Sequence, residues 1–132
     1  MRVIKAVAVL SFGLALSACG KDMMTVNMAA SAGGSQPGTA TLTDDGMGKV
    51  TVQLNIASAS DAALQQPAHI HTGTCAAPGD VYKPLTNVVA GKSTTQVTAD
   101  FAEFKRNPGK YIINVHKSAA EANQYVSCGT IQ

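Results

Sequence analysis

Between Lys49 and Ile56 the chain alternates strictly, with Val50, Val52, Leu54 and Ile56 on one side and Lys49, Thr51, Gln53 and Asn55 on the other. A period of two is the signature of a strand with one face in a core and one in water. Thr25-Val26-Asn27-Met28 and Thr39-Ala40-Thr41-Leu42-Thr43 carry the same alternation more weakly. The Gly/Ser/Pro stretch from Ser31 to Gly38 separates them, and Asp44-Asp45-Gly46 with Gly48 predicts a hairpin turn before Lys49. Residues 57–66, rich in Ala, Ser and Gln, read as a connection with room for one helical turn. Pro67 to His71 is extended, and the small residues from Thr72 to Gly79 follow as a loop.

Further short strands are predicted at Leu85–Val89, Ser93–Ala99, Tyr111–His116 and Gln124–Ile131, with a turn between Asn87 and Ser93. Asp100 to Phe104 suits a single helical turn capped by Asp100 and stopped by Asn107-Pro108-Gly109. About eight short strands at regular spacing, without a long amphipathic helix, give an all-β antiparallel sandwich or small barrel. No repeat or second domain is visible, so the β domain is expected to run over residues 25–132.

The N-terminal residues follow a different pattern. Arg2 and Lys5 precede the uncharged apolar run Ala6–Leu16, the layout of an export signal. The run is shorter than the roughly 20 residues that cross a bilayer. Leu16-Ser17-Ala18-Cys19 resembles the lipobox of bacterial lipoproteins. That resemblance implies a signal peptide over residues 1–18, a lipid-bearing Cys19 and a tether over residues 19–24. Acyl chains on Cys19 would anchor the protein to a membrane without a span. Gly20, where an aspartate favours the inner membrane, implies the outer membrane facing the periplasm in a Gram-negative cell envelope.

Loss of the signal removes Arg2 and Lys5 from ten basic residues and leaves eight against eight acids. A neutral domain without a basic run offers nothing to nucleic acid. Of the three cysteines, lipidation of Cys19 leaves Cys75 and Cys128. In an oxidising compartment that pair reads as a disulfide, the alternative being two buried free thiols.

The chain has three histidines. His69 and His71 are two apart in an extended segment, which places both imidazoles on one face. His116 ends another strand, which can cross near them. Three imidazoles with an open position suit Cu(II), or Zn(II) with a water. Met23, Met24, Met28 and Met47 are soft enough for Cu(I), but their place in the tether and near a turn favours spacer or edge packing.

Ala68-His69-Ile70-His71 with Gly73 and Cys75, then Val115-His116-Lys117, then Cys128-Gly129-Thr130-Ile131, resembles copper/zinc superoxide dismutase. The resemblance implies an eight-stranded Greek-key β-barrel, copper ligation by His69, His71 and His116, and a Cys75–Cys128 disulfide beside the site. The segment around Thr39–Leu42 and the His-Ile-His also resembles the CHRD domain, a β module of chordin and bacterial proteins. The chain departs from the enzyme's pattern in several places. Between Cys75 and Leu85 there is no histidine to bridge to zinc, Asp80 is the one acid there, and Tyr125 stands where the enzyme has its anion-binding arginine. Zinc is therefore not expected. Three functions follow: a lipid-anchored copper-binding module for buffering or transfer, a reduced copper-only dismutase, or a structural envelope domain without metal. The first is preferred, with no catalytic residue assigned.

Overall fold

Apolar faces that alternate along the sequence meet in pairs across a single curved sheet. The computed structural model describes residues 21–31 and 34–132. The expected signal over residues 1–18 and the lipid-bearing Cys19 lie outside the described residues. The strands are β1 (Met23–Ala30), β2 (Gly38–Asp44), β3 (Lys49–Ile56), β4 (Gln66–Gly73), β5 (Pro78–Val88), β6 (Lys92–Thr98), β7 (Tyr111–His116) and β8 (Tyr125–Ile131). A short helix, α1 (Phe101–Arg106), lies between β6 and β7. No described helix is long and apolar enough to cross a membrane.

The eight strands are antiparallel in the order β5-β4-β7-β8-β1-β2-β3-β6. The two edge strands then meet. Thr86 donates its backbone N–H to Thr95 Oγ1 at 2.8 Å, and Ser93 Oγ donates to the Thr86 carbonyl at 2.8 Å. These bonds nearly close the barrel. With that seam counted, β7 returns beside β4 after the run β4-β5-β6, which is a Greek key. The all-β barrel expected from the strand count is the observed architecture.

Packing follows the alternation. Val50, Val52, Leu54 and Ile56 of β3 are buried together with Ala40 and Leu42 of β2 and Val26 and Met28 of β1. Phe101 and Phe104 of α1 join the same core, and Phe104 meets Tyr82 and Tyr111 edge-on. Asp100 caps α1 by accepting from the Ala102 N–H at 2.9 Å, as its position predicts. Elsewhere the Gln36 and Gln66 amides bond to each other reciprocally at 2.9 and 2.8 Å. Gln66 also donates to the Lys117 carbonyl, which ties β4 to the residue after His116.

Two boundaries differ from expectation. β1 begins at Met23, inside the expected tether, because Met23 and Met24 pair with Thr43 and Leu42. β5 begins at Pro78, at the end of the Thr72–Gly79 segment expected to be a loop, and so starts seven residues before the strand expected from Leu85. Its outer edge has no backbone ladder, so Pro78 and Pro84 leave no ladder donor missing on that side.

Candidate metal centre

β7 is buried at all six positions. Tyr111, Ile113 and Val115 belong to the barrel core, so Ile112, Asn114 and His116 face outward by alternation. On β4, Ala68 and Ile70 are core residues, which turns His69 and His71 to the same outer face. The register sets His69 opposite Asn114 and His71 opposite Ile112. His116 lies two residues from Asn114, and the three histidines gather on one patch of sheet.

Two loops cover that patch. Thr74 and Ala77 close a tight turn between β4 and β5. Cys75 in that turn forms a disulfide with Cys128 of β8, with 5.9 Å between the Cα atoms. Gly73 sits at φ +94°, and a Cβ there would lie 2.6 Å from the Ala77 carbonyl oxygen. Only glycine permits this turn to fold back so closely. The second cover is the β7–β8 connection, which presents the Ala122 carbonyl to the site.

Backbone carbonyls at the start of β5 and in the β7–β8 connection fix which nitrogen of His71 and His116 is free. His71 Nδ1 lies 2.9 Å from the Gly79 carbonyl, and His116 Nδ1 bonds to the Ala122 carbonyl. A carbonyl only accepts, so both Nδ1 atoms carry protons, and in a neutral ring so bonded the Nε2 atom presents a lone pair. His69 Nδ1 lies 2.9 Å from His116 Nε2 and donates to it. His71 Nε2 is buried without any partner. An arriving ion would find three nitrogens within 4.8 Å of one another. For His69 to offer Nδ1 to an ion, its proton would shift to Nε2 of the same ring, with no change of net charge.

Burial holds the His69 imidazole below the usual histidine range, and repulsion from His116 and His71 adds to it. His116 is lowered too, chiefly by burial, with its bond to the Ala122 carbonyl acting in the opposite sense. Both shifts keep the rings neutral, which is the state that binds metal. Among the described residues this is the one cluster of three or more His, Cys, Asp or Glu placed to share an ion.

Other candidates stand apart from it. Asp80 is exposed on β5 and is not part of the cluster. Tyr125 packs against His116 with ring centroids 5.0 Å apart. Lys117 is paired with Glu121 at 2.8 Å, and Lys83 lies over the Tyr82 ring. Met28 is buried in the core and Met24 packs on it, whereas Met23 and Met47 are exposed. Sequence reasoning missed the Gly79 and Ala122 carbonyls, which have no residue-type signal, and it passed over Asn114.

Fold and site together define a class: an antiparallel β-barrel domain with a three-histidine candidate metal centre on its outer face. The model of the CHRD domain family matches residues 19–124. The chain therefore belongs to the CHRD domain family. No curated protein and no solved structure matches it. Of the two resemblances carried by the sequence, the CHRD one is supported and the superoxide dismutase one receives no support from these comparisons.

Proposed function

We propose that this protein is a copper-binding module of the bacterial cell envelope, anchored by lipid on Cys19, which buffers or transfers copper through His69, His71 and His116. The observation that carries the reading is the buried, unpartnered Nε2 of His71 beside two further imidazoles. A buried acceptor without a donor is costly, and a cation satisfies it. Three neutral imidazoles suit Cu(II), which binds such donors more tightly than the other divalent first-row ions.

Buffering or transfer is preferred to catalysis on electrostatic grounds. Tyr125 brings no positive charge to the site, and Lys117 is neutralised by Glu121. A small anion has no evident steering toward such a centre, an effect worth about 10–10³ in on-rate. Dismutation by the copper-loaded protein is expected to be no faster than by aqueous copper.

Titration with Cu(II) followed by electron paramagnetic resonance tests the proposal. One nitrogen-coordinated Cu(II) per chain is expected, and His116→Ala should abolish or alter the signal. A signal without nitrogen coupling, or one that His116→Ala leaves unchanged, would overturn it and favour a structural domain without metal.

A further inference from the structure

Asn114 lies at the middle of the outward face of β7, with none of its side chain exposed. It is directly opposite His69 of β4 and two residues from His116, and it sits diagonally from His71. Directly opposed side chains have Cβ atoms about 4.5–5.5 Å apart, and diagonal ones remain within reach. The register thus places Asn114 on the sheet face that carries all three histidines, next to each of them in the lattice of the strands.

Neither atom of this amide has a partner. Four buried side-chain polar atoms are unpartnered among the described residues: His71 Nε2, Asn114 Nδ2, Asn114 Oδ1 and Ser127 Oγ. Three of the four belong to this one patch. Ser127 is opposite Val115, a core residue, and so lies on the other face of the sheet. On the β8 side Asn114 faces Cys128, which is in the disulfide and offers it no hydrogen bond. A buried primary amide whose donor and acceptor both lack a protein partner calls for an explanation. Apolar packing would be served as well by leucine, the isosteric apolar choice.

We propose that Asn114 is a fourth ligand of the centre, supplying its carbonyl Oδ1 beside the three imidazoles and biasing the site toward oxidised, divalent ions. The proposal rests on the metal reading of the histidine cluster. An amide oxygen is a harder donor than imidazole and contributes little to a soft monovalent ion. Loss of Oδ1 therefore weakens Cu(II) binding and leaves Cu(I) binding nearly untouched. A residue that merely shaped the cavity would affect both ions together.

The test titrates the wild type, Asn114→Leu and Asn114→Asp with Cu(II), and anaerobically with Cu(I), monitoring affinity and the Cu(II) paramagnetic spectrum. Asn114→Leu should keep nitrogen-coordinated copper, lose at least about tenfold in Cu(II) affinity and change the parallel hyperfine splitting, with Cu(I) affinity preserved. Asn114→Asp, with an anionic oxygen at the same position, should bind Cu(II) more tightly than the wild type. Equal losses for both copper ions, or a Cu(II) affinity and spectrum that neither variant changes, would overturn the role of Asn114. If Asn114→Leu fails to fold, as read by circular dichroism, the aspartate variant decides, and no gain in Cu(II) affinity overturns the proposal. A wild type without nitrogen-coordinated Cu(II) would instead overturn the histidine centre on which the proposal stands.

Discussion

Each imidazole of the cluster owes its protonation to one atom outside the cluster or to its neighbour. The Gly79 and Ala122 carbonyls hold the Nδ1 protons of His71 and His116, so the lone pairs face inward before any ion arrives. The lowered pKa values of His69 and His116 link this arrangement to stability. Below about 6.5, the ordinary histidine value, the unfolded chain takes up protons that the folded protein resists. The metal-free protein should therefore be fully stable above that pH and lose stability as the pH falls through and below it. Melting temperatures between pH 8 and 5 check the sign, and a His69→Gln/His116→Gln double variant should flatten the slope. Copper affinity should follow the same direction, since protons compete for the same nitrogens. At this scale the sequence revealed the His69/His71 pair through its two-residue spacing. Asn114 was hidden because a polar residue inside a strand ordinarily faces water. Only the register with β4 sets it opposite His69, on the histidine face of the sheet.

The turn between β5 and β6 shows what one backbone conformation demands of its residues. Val89 and Lys92 exchange backbone hydrogen bonds at 3.0 Å around Ala90 and Gly91, both at positive φ, 49° and 77°. Such two-residue turns match the twist of a hairpin but suit Asn-Gly better than Ala-Gly. Ala90→Asn should stabilise the protein by about 0.5–1 kcal/mol, since alanine pays a steric cost in the left-handed region. Gly91 has no such freedom, because a Cβ there would lie 2.2 Å from the Ile56 carbonyl oxygen. Gly91→Ala should destabilise by more than the other change stabilises, and denaturant unfolding of both variants measures the difference. Element by element, legibility tracked exposure. β3 has one buried and one solvated face, so its alternation was plain. β5 is an edge strand whose exposed positions and prolines blur any period. Burial of β7 on both faces reflects loops that come from elsewhere in the chain, which no local pattern encodes.

In the whole molecule, the Cys75–Cys128 bond joins barrel stability to site geometry. It bridges a sequence separation of 53 and holds the β4–β5 turn against β8, beside the histidine patch. On the chain-entropy account such a crosslink is worth about 4 kcal/mol. Cys75→Ser should lower the melting temperature markedly and weaken copper binding, because the turn that leads into β5 and Gly79 loses its fastening. An unchanged melting temperature would count against that role. The barrel architecture was legible from strand count and turn spacing. Its Greek-key order depends on long-range pairing, for which the sequence offered only resemblance. Family membership then separated two resemblances that share the His-Ile-His segment. The central claim, that this barrel holds copper on its three histidines, is tested most directly by metal analysis of the protein isolated from the cells that make it. The account predicts close to one copper per chain, lost when His69, His71 and His116 are all replaced by alanine. Protein that carries no copper, or the same copper in that triple variant, would contradict it.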